Sequence, residues 1–168
     1  LETLIEHSVL VRKYFLDKVE LFELEANIDN IIRACLNLWP SGMAKEYDAE
    51  FIKLLFYSTI EYHDLGKINP NFQYKKLHNK DFKNSQHNKT LGTDHSKLSS
   101  FLFECIFINE YVSKHNSSPE PAYYVVIKAF AYVIAKHHGE LNFLFDETLS
   151  YSEDYADFLK SIKYNVSE

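Results

Sequence analysis

The sequence predicts an all-α chain, and two observations carry that prediction. Apolar residues recur three and four positions apart in segment after segment, while strict strand-like alternation is almost absent. Helix breakers are scarce: four glycines and four prolines in 168 residues, beside 46% hydrophobic and 15% aromatic residues, which is the composition of a compact helical protein. A chain of this length is expected to form one domain, 1–168.

The first helix is predicted at Leu4–Leu21, and others at 27–38, 48–64, 94–113 and 119–138, with one or two short helices within 142–164. Pro40 and Gly42 close the second; Asp48 is placed as the cap of the third, which Gly66 and Pro70 end. Ser118 before Pro119 opens the fifth and Gly139 stops it. The connection 67–93 shows no pattern of its own, and loops of that length in compact domains tend to be functional. Cys35 and Cys105 fall in apolar helical stretches without a C-x-x-C pairing, so both read as buried free thiols in a reducing compartment. The most apolar run, "AYYVVIKAFAYVIA" at 122–135, contains Lys128 and is shorter than the roughly 20 residues of a membrane span. A soluble, cytoplasmic chain with no membrane partner is therefore expected. The absence of an initial methionine or a leader-like start suggests a fragment of a longer chain.

The net charge of -6 argues against a polyanionic partner on average, since lysine and arginine supply most affinity for a phosphate backbone. The average conceals a local excess. Residues 74–89, "YKKLHNKDFKNSQHNK", carry five lysines and one aspartate, a net +4, which leaves -10 for the remainder. That segment is either a solvated lysine-rich loop or a landing place for phosphates.

The eight histidines divide by position. His7 shares a helical face with Leu4, Val11 and Tyr14; His63 with Ile52, Leu55 and Thr59; His95 with Leu98, Leu102 and Cys105; His137 with Tyr123, Ile127, Phe130 and Ile134. His138 follows on the adjoining track, whereas His78, His87 and His115 are assigned to polar loops. A single histidine on an apolar face is more often a hydrogen-bonded core residue than a ligand. Five on four helices are harder to bury, because each imidazole needs a partner or a shifted pKa. A shared metal resolves that cost, since neutral imidazole ligates Zn, Fe, Ni, Co and Mn and a helical bundle projects ligands inward.

Asp64 follows His63 directly, and its two carboxylate oxygens suit it to bridge two cations, which a histidine cannot do. "HD" before Gly66 and "HH" before Gly139 place paired ligands at two helix ends. Lys67 stands one turn beyond His63, where it would balance a phosphate oxygen; without the histidines it reads rather as a surface lysine favoured by a helix dipole.

Four blocks in order, "HSVLV", "HDLGKINPNFQ", "DHSKLS" and "AKHHGEL", cover 6–141, and with them the chain resembles the HD superfamily of metal-dependent phosphohydrolases. More narrowly it resembles the HD nuclease of type I CRISPR interference, the domain usually paired with a DExD/H-box helicase. The resemblance implies a helical bundle with a metal site between helices. It implies one or two divalent ions (Mn, Fe, Co, Ni or Mg) and cleavage of single-stranded DNA at a metal-activated water in antiviral defence. It also implies a helicase in cis or trans and an RNA-guided Cascade-type complex as partners. Carried over by motif, His7, His63 and Asp64 would hold one metal, Asp64, His95, His137 and His138 the other, and Lys67 would meet the scissile phosphate.

The family usually adds a late aspartate to the first metal. Here "YADFLKS" offers Asp157, which comes early for that role, so the completing aspartate is either this residue or one beyond a missing C-terminal part. No helicase motif such as a GKT loop is present. Two other readings share these ligands: a small-molecule HD phosphohydrolase acting on nucleotides or cyclic nucleotides, and a catalytically silent binding domain.

Overall fold

The computed structural model describes residues 3–37, 46–84, 91–139, 151 and 153–165. Among them are seven α-helices and no strand: α1 (Leu4–Leu21), α2 (Glu25–Asn37), α3 (Glu46–Tyr62), α4 (Pro70–Lys75), α5 (His95–His115), α6 (Pro121–Ala135) and α7 (Glu153–Asn165). Short 3-10 turns occupy Leu65–Ile68 and Lys80–Phe82. The all-α prediction holds, and no helix among the described residues is long and apolar enough to cross a membrane.

Local chemistry explains the helix starts. Thr3 and Glu6 form a reciprocal capping box on α1, each side chain bonding the other's backbone N–H, at 3.2 and 2.7 Å. Asn69 caps α4 and Pro70 fills its first position, where a missing N–H loses nothing. Asp94 caps α5 through the Lys97 N–H, and Asn116 ends that helix in the left-handed conformation at φ 52°.

Several predicted boundaries move. α6 begins at Pro121, not Pro119, with Glu120 as the extended cap residue, and it ends at Ala135, so His137 and His138 sit on the following turn. Asp48 lies inside α3, fully buried, and accepts a hydrogen bond from the Tyr123 hydroxyl instead of capping the helix from solvent. The 67–93 connection has structure of its own, namely α4 and the second 3-10 turn. Pro40, Gly42 and His87 lie outside the described residues. Cys35 is exposed and Cys105 half-buried, so neither is the sealed thiol expected from an apolar stretch. His115 closes the last turn of α5 against Tyr111, ring centroids 4.3 Å apart, and is not a loop residue.

The core forms where α3, α5 and α6 meet: Leu55, Phe103, Phe107, Ile127, Ala131 and Ile134 are all at most 2% exposed. Burying each of the Leu, Ile and Phe side chains is worth about 1.5–3 kcal/mol against leaving it in water, and Ala131 contributes less, which makes this seam a main support of the fold. A second cluster joins Leu91, Leu98 and Leu102 to Tyr155 and Phe158 of α7, and a third joins Ile32 and Leu36 of α2 to Ile52 of α3. α1 packs on α3 and the Leu65–Ile68 turn; Val19 is its one buried residue, and Phe15 meets Phe56 and Tyr57 edge-on while Tyr14 points into solvent.

Candidate metal centre

Each candidate ligand stands at a place where a helix ends, begins or faces α3. α3 stops at Tyr62, so His63 and Asp64 leave the helix on a turn and reach the same space from different directions. His95 is the first residue of α5, His137 and His138 follow α6, and His7 lies in the second turn of α1.

Asp64 is the centre of this arrangement. It is 4% exposed, and its two oxygens divide the neighbours between them. Oδ2 has His7 Nε2 at 3.1 Å, His63 Nε2 at 3.3 Å and Lys67 Nζ at 2.7 Å. Oδ1 has His95 Nε2 at 3.2 Å and His137 Nε2 at 3.5 Å, and His138 Nε2 stands 3.1 Å from that of His95. Two groups of potential ligand atoms result, each with all its members within 4.8 Å of one another: Asp64, His95, His137 and His138 in one, and His7, His63 and Asp64 in the other.

Tautomers are fixed from outside the cluster. His63 Nδ1–H donates to the Ile60 carbonyl at 2.8 Å and His137 Nδ1–H to the Ile134 carbonyl at 2.6 Å. Each bond commits the proton to Nδ1 and leaves the Nε2 lone pair of the neutral ring aimed inward, as a backbone carbonyl does for metal-binding histidines.

The electrostatics are those of a site prepared for positive charge. Burial alone would raise the Asp64 carboxyl, but the imidazoles of His137, His63 and His95 and the Lys67 ammonium gathered around its oxygens outweigh it and hold the group well below the ordinary carboxylate range. His63 is pushed up, chiefly by its bond to Asp64. His138 is pushed down, first by desolvation and then by the neighbouring His137 and His95.

A cation fits the donor set on a direct observation. Asp64 Oδ1 and His137 Nε2 are buried polar atoms without a hydrogen-bond partner, although they face each other. Leaving such atoms unsatisfied costs on the order of 1–3 kcal/mol each, and a shared divalent ion would satisfy both. Several borderline metals suit an imidazole and carboxylate set of this kind.

The "LGKINPNFQ" stretch turns out to be the scaffold of the centre. Gly66 N–H donates to Ser99 Oγ at 2.7 Å, and Ser99 donates in turn to the His95 carbonyl at 2.9 Å. A β-carbon at Gly66 would overlap the His95 carbonyl oxygen and crowd Ser99 N at 2.7 Å, so the glycine is required by close approach to α5 and not by an unusual φ. Asn69 Nδ2 donates to the Gly92 carbonyl at 2.8 Å and Asn71 to that of Leu91, tying α4 to the chain just ahead of His95. Phe72 sets its ring 4.6 Å from that of His95, and Gln73 Nε2 donates to the Lys67 carbonyl at 2.7 Å. The sequence assigns no role to Ser99, Asn69, Asn71 or Gln73; the one signal for the three amides is their closeness to one another just after Gly66, and Ser99 carries none.

Asp157 is not part of the centre. It sits on α7, its side chain 71% exposed and paired with Lys160 at 3.1 Å, because the face of α7 that turns inward is the Tyr155 and Phe158 face. Of the two alternatives for a completing aspartate, Asp157 is thereby ruled out.

Beside His7 and Lys67 opens a cleft of about 820 Å³, reaching Gln73, His78 and Lys80. Comparison with protein families gives a match to Cas3, HD domain, over residues 25–160. The match covers four of the five histidines of the centre together with Asp64 and Lys67, while His7 on α1 precedes it and is tied to the site by geometry alone. No curated protein and no solved structure matches the chain in the corresponding comparisons. Four-fifths of the chain lies within that one match and its helices assemble a histidine and aspartate centre around "HD", so the chain belongs to the family of Cas3 HD domains, the HD-type nuclease domain of type I CRISPR defence.

Proposed function

We propose that this HD domain is a metal-dependent nuclease that hydrolyses phosphodiester bonds of single-stranded DNA. The observation that carries the reading is the division of Asp64: one buried carboxylate serving two groups of ligand atoms through separate oxygens. His7, His63 and Asp64 would hold one divalent ion and Asp64, His95, His137 and His138 a second. Ions held there would supply Lewis-acid charge for the phosphate oxygens and lower the pKa of water at the site.

The remaining roles belong to the chain. Asp64 serves as a carboxylate at neutral pH, because the imidazoles and the Lys67 ammonium around it hold its carboxyl below the usual range. Lys67, restrained at its backbone by Gln73 and at its ammonium by Asp64, presents positive charge at the mouth of the cleft, where a non-bridging phosphate oxygen would meet it. The Nδ1 bonds of His63 and His137 hold both rings in place during turnover. Among the described residues the group containing His7 offers three ligand atoms and the other group four, so the His7 group would be the more open of the two to water and substrate. A helicase in cis or trans and a guide-RNA complex would deliver the displaced strand.

The test is incubation with circular single-stranded DNA and Mn, Co, Ni or Mg, with and without EDTA, beside Asp64→Ala. Cleavage is expected with metal only and at background level in the variant. Cleavage that persists in Asp64→Ala overturns the role given to that carboxylate, and faster turnover of free nucleotides than of DNA moves the substrate to the small-molecule class.

A further inference from the structure

We infer that the substrate strand runs from the metal centre across α4 to the Lys80–Phe82 turn, in a basic groove that binds single-stranded nucleic acid by its phosphates and by one stacked base. The inference rests on the proposed nuclease reading and adds the binding track to it. Two clefts carry it. The first, about 820 Å³, is lined by His7 and Lys67 beside the centre and also by His78 and Lys80; the second, about 470 Å³, is lined by Tyr74, Lys75, His78, Lys80 and Lys83. His78 and Lys80 line both, so the two form one path leading away from Asp64.

The chemistry of the path is one-sided. No carboxylate lines either cleft among the described residues. Between Lys67 and Asn84 the chain has five lysines and a single acid, Asp81, in a protein of net charge -6. Against that negative background a local run of ammonium groups is where a polyanion would settle. Tyr74 adds an aromatic ring among the lysines, the pairing that single-strand grooves use to stack bases without reading them. His78 joins the clefts in the left-handed conformation, φ 56°, an uncommon state for a residue with a β-carbon. The chain turns there so that the Lys80–Phe82 turn comes back beside α4, with the Asn79 N–H on the Gln73 carbonyl at 2.9 Å.

The experiment measures binding apart from catalysis. EDTA-treated protein is titrated by fluorescence anisotropy with labelled oligothymidylates of increasing length at several salt concentrations, so no metal chemistry is needed. Affinity is expected to rise with length and then level off. Replacing Lys75, Lys80 and Lys83 together by glutamine is expected to flatten the log–log salt dependence by about two, since each phosphate contact on a single strand contributes about 0.7. Tyr74→Ala is expected to weaken binding about tenfold and leave the salt slope in place, as loss of a stacked base should. Binding by both variants that equals that of the unaltered protein overturns the track, as does affinity that ignores oligomer length. Hydrolysis of bis(p-nitrophenyl) phosphate by the unaltered protein with Mn reads the metal centre separately: its absence counts against the nuclease reading, whereas normal hydrolysis with unchanged variant binding counts against the groove alone.

Discussion

The two ligand groups that share Asp64 are built in different ways. His95 and His137 project from the ends of helices locked into the main core: Leu98 and Ile134 beside them are fully buried, and Ser99 clamps Gly66 to the start of α5. His7 projects from a helix with Val19 as its one buried residue, which leaves Ile5, Val9, Leu10 and Tyr14 more than half exposed. What holds α1 at this end is the ring contact of Phe15 with Phe56 and Tyr57, the Arg12–Glu61 ion pair at 3.2 Å, and the His7 contact with Asp64 itself. One half of the centre is thus fixed by packing, and the other depends partly on the site it completes.

The sharpest way to break the packed half is Gly66→Ala. The added methyl meets backbone on α5, which cannot swing aside as a side chain can. A loss of about 3 kcal/mol is expected, at the upper end of what overpacking costs, and the displaced α5 should carry His95 away from Asp64. Urea denaturation and metal analysis check this together: a stable protein with both metals bound would show that the close approach is dispensable.

His7→Ala and His95→Ala then separate the halves. Removing His7 should lower the bound metal by one equivalent and leave the other group occupied, with little change in stability, since α1 contributes little to the core. Removing His95 should weaken the second group and also destabilise the fold modestly, because its ring packs on Phe72 in a largely buried position. Equal metal loss in both variants would show that the groups do not act separately.

Much of this centre was legible before folding, and the reason is periodicity. The predicted helical tracks carry His7, His63, His95 and His137, and although the structure leaves His63 and His137 on the turns just past α3 and α6, with His138 beside His137, the residues brought together are those that the 3.6-residue repeat and the paired dipeptides pick out. Helix ends were less legible: Pro119 looked like a start because proline favours first turns, yet Pro121 two residues later satisfies the same preference. The 67–93 segment hid α4, a helix of six residues, too short to show a repeat. Asp157 stays open in the sequence for a related reason, since a motif-like context says nothing about which face of α7 packs inward. The roles of Gly66 and of the Asn69 and Asn71 side chains are not visible in the sequence, because they consist of contact with a segment 20 to 33 residues away.

Acid should also divide the halves. Asp64 raises the proton affinity of His63, so that proton is retained to higher pH than on a free imidazole, and a metal must displace it. His138 is held below its ordinary value by burial and its neighbours, so it stays neutral further into acid. As pH falls, the group containing His63 should therefore release its ion first, with affinity dropping about tenfold per pH unit for each proton taken up below the pKa. Titrations of metal binding between pH 5 and 8 check the order, and earlier release from the His138 group would reverse the assignment.

The smallest effect concerns what places α1. Arg12 and Glu61 lie at the surface, where an ion pair contributes up to about 1 kcal/mol and often less. If α1 is positioned mainly by Phe15 and by the His7 contact, Arg12→Ala should weaken metal binding at the His7 group by no more than about fivefold and leave the other group unchanged. A larger loss, read by the same metal titration at low salt and cancelled at high salt, would mean that long-range charge sets the approach of α1. His7 would then be a ligand whose position is set by electrostatics at the surface, in contrast to the histidines that the core holds in place.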